Sequence, residues 1–403
     1  MLTPAEAERL ILENIAPFPR EDCSLLLAQG RVLRNDLRAD RDLPPFDRVT
    51  LDGYALRAAA LAAGTRTFRV EGVQAAGMRA FKLGPGDDAC LEIMTGAVLP
   101  EGADCVVPYE DTTRQGAIIT VAADTAGDPA SGNAIHRRGS DHGSGATIVR
   151  AGTRLTGAEI GIAAACGYSA VTVAQLPKIA IVSSGDELVE VDSLVAPHQI
   201  RRSNDYALRA ALVAAGFPNV ARFHLRDVPH EIEHLLWHVI AEFDVIVVTG
   251  GVSKGKFDHL PAELQRQRVR KIFQGVAQRP GKPLWFGVSA RQTPVFALPG
   301  NPVSCYTCLH RYVLPALAHA SGLAPKPARL AALDGAVAAS EKLTVFVPVA
   351  LHGGSRGELL AMPRPTNTSG DFSALAGTDG CVELPPGAPE RPAGTVATFH
   401  SWS

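Results

Sequence analysis

Val245-Ile246-Val247-Val248-Thr249-Gly250-Gly251 is the stretch that decides the fold. A fully apolar run that stops at a Gly-Gly turn reads as a strand buried on both faces, as in parallel sheets covered by helices. Its neighbours repeat the rhythm. Upstream lie Ile179–Val182, ending in Ser183-Ser184-Gly185-Asp186-Glu187, an Ala/Leu-rich helix over Asp205–Ala215 closed by Gly216, a strand over Val220–Leu225 and a helix over Pro229–Glu242. Downstream come a strand over Val295–Leu298 and a helix from about Val303 to Ala320. Strands alternating with helices at this spacing imply right-handed crossovers, and so a doubly wound parallel sheet with helices on both faces.

The flanks have a different composition. At 403 residues the chain has room for two to four domains. We divide it into 1–45 together with 141–176, an inserted β-rich segment 46–140, the α/β unit 177–325, and a C-terminal β segment 326–403. The insert holds short β runs at Thr67–Val73, Cys105–Tyr109 and Ala117–Ala122, and a helical period only over Ala55–Ala63. The last segment returns to β runs at Thr344–Val349 and Val382–Leu384. The N-terminus carries acidic residues where a signal peptide would be basic. It reads instead as a capped helix, with Thr3 as N-cap, Pro4 in the first turn and Glu6 completing a capping box.

Composition narrows the function. Thirty-nine basic against 41 acidic residues leave a formal charge of −2, which gives no bulk attraction for nucleic acid or an anionic membrane. Any anionic ligand must be met locally. Seven cysteines without regular spacing do not form a disulfide framework and read as reduced thiols in a cytoplasmic protein. The most apolar stretch, Ile160–Leu176, holds too few apolar residues to cross a membrane.

Chemistry concentrates at the carboxyl ends of the strands, where open α/β sheets bind ligands. Glu187, Asp227 and Asp258 each follow a different strand. Three carboxylates on one rim need a cation between them, and a hard divalent ion such as Mg²⁺ with phosphate ligands meets that need. The alternative is that they cap the following helices, a role that Asp186 and Asp227 fit by position. The turns Ser184-Gly185-Asp186, Gly250-Gly251-Val252-Ser253 and Pro299-Gly300-Asn301-Pro302 share that rim, with Arg279-Pro280-Gly281-Lys282-Pro283 between them. Glycine lets backbone N–H groups approach a phosphate closely, and together these turns point to a polyanionic ligand. Three other patterns read as bland. His230-Glu231-Ile232-Glu233-His234 matches a zinc-protease motif but opens a crossover helix, so it is read as a solvated face. Cys305-Tyr306-Thr307-Cys308 is read as core, and the basic run Arg266–Lys271 as solvated surface.

Taken together, Leu51-Asp52-Gly53-Tyr54-Ala55, Met94-Thr95-Gly96-Ala97, Arg138-Gly139-Ser140-Asp141, Ser184-Gly185-Asp186-Glu187-Leu188, Thr249-Gly250-Gly251-Val252-Ser253 with Asp258, Pro280-Gly281-Lys282-Pro283 and Leu298-Pro299-Gly300-Asn301-Pro302-Val303-Ser304 resemble the molybdopterin molybdenumtransferases. These are the family of bacterial MoeA and the E domain of gephyrin. The landmarks come in the family's order and span residues 43 to about 380.

The resemblance implies an elongated four-domain homodimer, its first domain serving as linker and dimerisation element. It implies insertion of molybdate into the dithiolene of adenylylated molybdopterin, with loss of AMP and Mg²⁺ as the metal. Glu187, Asp227 and Asp258 would then be metal or phosphate-side carboxylates. Lys282, Ser304 and Ser369 would line the molybdate and phosphate pocket, with Ser184, Gly185, Asp186, Gly250, Gly251, Ser253, Arg279, Pro283, Pro299, Gly300 and Asn301 binding substrate. Asp52, Thr95 and Asp141 would come from the partner chain. Other cofactor-biosynthesis proteins are the implied partners.

The chain departs from the family pattern where Gly275, Arg279 and Pro348 replace usual basic residues (Lys, Lys and Arg in turn); Arg364 is a candidate substitute. Two other readings carry different expectations. An adenylyltransferase would need only the third domain, and a non-catalytic pterin-binding scaffold would need no rim carboxylates.

Overall fold

The computed structural model describes residues 1–122, 129–251 and 260–403. It divides into two compact units, one of residues 1–35, 151–156 and 170–403, the other of residues 36–150 and 157–169.

In the larger unit a six-stranded sheet runs in the order Val220–Leu225, Ile179–Ser184, Val245–Thr249, Pro294–Leu298, Trp285–Val288, Arg270–Gln274. The first four strands are parallel. Trp285–Val288 runs against both of its neighbours, so the expected parallel sheet continues into a mixed edge. The apolar runs are continuous because alternate residues feed two cores. Ile179, Ile181, Val245 and Val247 pack on one face with Leu208, Leu212 and Leu317, and with Ala7, Ile11 and Ile15 from the N-terminal segment. Ala180, Val182, Ile246 and Val248 pack on the other with Ile232, Leu236 and Val239. Each buried Ile or Val contributes about 1.5–3 kcal/mol relative to exposure.

The N-terminal helix, Pro4–Asn14, starts as its residues require. The Thr3 hydroxyl accepts from the Glu6 N–H at 3.3 Å, and the Glu6 carboxylate accepts from the Thr3 N–H at 2.8 Å. The expected helix from Val303 to Ala320 is real but interrupted. Pro302–Cys308 and Leu314–Ala320 are α-helical, while Leu309–Val313 forms one wide π turn, all five of its residues buried.

The C-terminal strands close a ring. Thr344–Gly353 pairs with both Leu359–Pro363 and Gly380–Leu384, and Arg329–Leu333 and Val396–Ser401 complete a five-stranded barrel around Val347, Val349, Val382 and Phe399. Gln278–Arg279 adds a short parallel strand at Thr344–Val345. That pairing brings the Arg279–Pro283 turn to the barrel's edge.

The smaller unit is built on a six-stranded sheet, with Gly53–Leu56 between Cys105–Pro108 and Ala89–Ile93. The helical period expected over Ala55–Ala63 resolves into that strand followed by a five-residue helix, Ala58–Ala62, because Ala55 and Leu56 gain ladder partners there. Glycine is required at position 53, where a Cβ would lie 2.0 Å from the Val107 carbonyl oxygen. Among the described residues, no helix is long and apolar enough to cross a membrane.

Candidate functional site

Parallel register aligns the strand ends: Ser184 lies opposite Leu225, and Ser183 opposite Thr249. A cavity of about 700 Å³ opens beyond them. It is lined by Ser184, Gly185, Glu187, Asp227, Gly250, Gly251, Pro283, Pro299, Gly300 and Asn301 from the residues singled out by sequence, and also by Arg201, Arg202 and Asn204. Ser253 and Asp258 lie outside the described residues.

The carboxylates here are not caps. The helix Pro229–Glu242 has Val228 at its N-cap with no side-chain bond, and Glu187 and Asp186 precede a short strand, not a helix. Asp227 instead accepts from the Ser184 hydroxyl at 3.2 Å, and its N–H donates to Asp186 Oδ1 at 3.0 Å. These two bonds knit the loops after adjacent strands together and leave Glu187 and Asp227 exposed at the rim. Glycine is needed at 250, where φ is +89° and a Cβ would sit 2.6 Å from the Ser184 carbonyl oxygen.

A second cavity, of about 960 Å³, lies against the barrel. Arg279, Lys282, Ser304 and Ser369 line it, with Asp334 and Phe346 among the barrel residues opposite. The sequence-predicted set is thus divided between two chambers, which share Pro283, Pro299 and Asn301. Their boundary is fastened: Asn301 Nδ2 donates to Ser369 Oγ at 2.7 Å, and the Val303 N–H donates to the Ser369 carbonyl at 3.0 Å. Charge differs across it. The rim chamber presents Glu187 and Asp227 together with exposed Arg201, while in the other Arg279 and Lys282 are exposed and, among the described residues, have no ion-pair partner, and Asp334 is paired with His352.

Asn204 was not singled out by sequence. It opens the helix Asn204–Ala214, where an Asn is ordinarily read as a cap. Its side chain reaches across the chamber instead, donating to Thr249 Oγ1 at 2.9 Å and to the Gly300 carbonyl at 2.7 Å. Arg202 is buried in ion pairs with Glu190 and Asp205; its i,i+3 spacing to Asp205 was a signal, but its burial was not. Arg364, the candidate substitute cation, lies next to Pro348, its N–H donating to the Pro348 carbonyl at 2.8 Å. Its side chain is exposed, and the residues lining the cavity at that point are Pro363 and Pro365.

In the smaller unit, Asp52 accepts from both the N–H (2.7 Å) and the hydroxyl (2.8 Å) of Thr95. The Thr95 N–H, then its hydroxyl, hold the Asp52 carboxyl below its usual range. Asp141 has a different partner, His136, at 2.8 Å.

The bland readings hold. His230 and His234 are exposed, Cys305 and Cys308 are buried, and Arg266, Arg268, Arg270 and Lys271 are exposed. Among the described residues, no group of three or more His, Cys, Asp or Glu is arranged to hold a metal.

Comparison with known proteins finds three matching regions along the chain. Residues 2–167 match the MoeA N-terminal region (domain I and II), 180–319 a probable molybdopterin binding domain, and 331–402 the MoeA C-terminal region (domain IV). A molybdopterin molybdenumtransferase from Synechocystis is 38% identical over 403 residues, covering 100% of both chains. The chain belongs to the molybdopterin molybdenumtransferase family. A second molybdopterin molybdenumtransferase, from Staphylococcus aureus, is 29% identical and covers 95% of this chain and 91% of its own. Two crystal structures of the molybdopterin biosynthesis MoeA protein from Pyrococcus horikoshii match the whole chain with TM-scores of 0.82 and 0.84. Their identities are 30% and 26%, and 99% and 100% of their own chains are covered. Membership makes the protein an enzyme of the transferase type in molybdenum cofactor biosynthesis.

Proposed function

We propose that the chain inserts molybdate into the dithiolene of adenylylated molybdopterin and releases AMP, the two chambers holding opposite ends of one elongated substrate. The observation that carries this reading is the shared wall at Asn301. A ligand passing it would meet Glu187 and Asp227 with Arg201 on one side, and Arg279 and Lys282, unpaired among the described residues, on the other.

The division of labour follows from charge. Lys282 and Arg279 attract an oxyanion such as molybdate, with Ser304 and Ser369 offering hydroxyls. Gly250 and Gly251 let the ligand's phosphate approach the backbone. Glu187 and Asp227 suit Mg²⁺, which takes one or two carboxylates alongside substrate phosphates and keeps several waters. They line one chamber and are exposed, so the donor set fits, and Asp258 would be the third member. When bound, the ion would offset phosphate charge that otherwise repels molybdate.

By the family resemblance, the working form is a cytoplasmic homodimer with four domains, 1–45 with 141–176, 46–140, 177–325 and 326–403. Asp52, Thr95 and Asp141 would close over the site from the other copy. A single adenylyltransferase domain would not match all three family regions, and a scaffold would not need the knitted rim carboxylates.

The test is AMP release from adenylylated molybdopterin with Mg²⁺ and molybdate. Tight pterin binding without AMP release would replace this reading with that of a scaffold. Asp258→Asn should sharply reduce release with the fold intact, and near-normal turnover would remove the case for a shared metal site. A monomeric mass by light scattering would overturn the dimer.

A further inference from the structure

Lys282 stands in an exposed turn, yet the turn is gripped from inside. Gln278, fully buried, folds its amide back on that turn: Nε2 donates to the Pro280 carbonyl at 3.0 Å and lies 3.8 Å from Cys308 Sγ. Its Oε1 accepts from the Tyr312 hydroxyl. Tyr312, 1% exposed, belongs to the wide Leu309–Val313 turn. Directly before Lys282, Gly281 has φ +92°, and a Cβ there would lie 2.6 Å from both Cys308 Sγ and Gln278 Nε2. The Lys282 carbonyl in turn accepts from the Val276 N–H at 2.9 Å.

A buried amide must be satisfied or pay a desolvation penalty, so Gln278 has one low-energy arrangement, and it fixes the Pro280 carbonyl. With Pro280 and Pro283 restricting φ on either side, the direction of the lysine stem is set by Gln278, which lies in the cavity wall, and behind it by Tyr312, which does not line the cavity. We propose that Gln278 and Tyr312 are positioning residues that aim Lys282 into the chamber shared with Ser304 and Ser369. The inference rests on the reading of Lys282 as an anion-binding group. Tyr312→Phe deletes one hydroxyl and leaves Gln278 Oε1 without its donor, in a core that otherwise keeps its shape. The lysine keeps its charge and loses its aim.

The experiment measures AMP release by Tyr312→Phe, Lys282→Ala and the double variant, with molybdate and adenylylated molybdopterin titrated separately. Tyr312→Phe should raise KM for molybdate about three- to tenfold, the scale of one lost hydrogen bond, with kcat and KM for the pterin unchanged. Lys282→Ala should raise it further, and the double variant should match Lys282→Ala, because no lysine is left to aim. Additive effects would overturn the inference, since the tyrosine would then act independently of the lysine. If Lys282→Ala alone leaves molybdate KM unchanged, the anion-binding reading of the lysine falls, and this inference with it. Should Tyr312→Phe not fold, Gln278→Met, similar in length and without the amide, carries the same test.

Discussion

Asn301 Nδ2 lies 2.7 Å from Ser369 Oγ, joining residues 68 positions apart across the wall between the two chambers. The contact is exposed, so its loss should affect ligand handling more than stability. Ser369→Ala is expected to lower the melting temperature by no more than a few degrees, because the Val303–Ser369 backbone bond remains. It should reduce AMP release clearly. A variant with unchanged turnover would show that the seam is only structural.

Asn204→Ala removes two side-chain bonds at once, to Thr249 and Gly300. It should destabilise the chain by about 2 kcal/mol in urea unfolding and raise KM for the pterin substrate, since both Gly-containing turns lose their tie. A loss of stability with unchanged KM would confine Asn204 to the scaffold.

The cysteines offer a test of the fold itself. All seven are buried and unpaired. Burial, the dominant cause, pushes the Cys90, Cys105 and Cys305 thiols up to about 12. At pH 8 such a thiol is ionised in only about one molecule in ten thousand. Native protein should therefore react very slowly with Ellman's reagent and release seven thiols in denaturant. Rapid reaction of two or more native thiols would contradict this packing.

His310 predicts an acid dependence. It packs at a tilt against Tyr306 and edge-on against Trp402, and burial lowers its pKa to about 4 from 6.5. The unfolded imidazole takes up a proton below about 6.5, whereas the folded one stays neutral until about 4. Stability is therefore full above that window and is lost as pH falls through it, by about 3 kcal/mol from this residue. Urea unfolding at pH 7 and pH 4.5 measures the loss, and His310→Phe should flatten it. An unchanged pH dependence in that variant would assign the acid sensitivity to other groups.

The sequence revealed what repeats and hid what reaches across. Val245–Thr249 was legible because burial on both faces writes itself as an unbroken apolar run. The Thr3–Glu6 box was legible because both partners lie within one turn. Trp285–Val288 was not read as a reversed strand, since an apolar run carries no sign of direction. Asp227 looked like a cap because position alone cannot say whether a carboxylate turns to its own helix or to Ser184 on the neighbouring strand. Gln278 and Asn204 were invisible for the same reason: each acts on a partner distant in sequence.

The chain leaves the larger unit after residue 35 and settles there for good only at residue 170. During synthesis, the helix Pro4–Asn14 therefore leaves the ribosome well before the strands at Ile179 and Val245 that its Ala7 and Ile11 cover. The whole smaller unit can form in that interval, so the nascent protein carries an amphipathic helix awaiting its seat. Closing the larger unit over it is a late event, and it joins the first part of the message to the last.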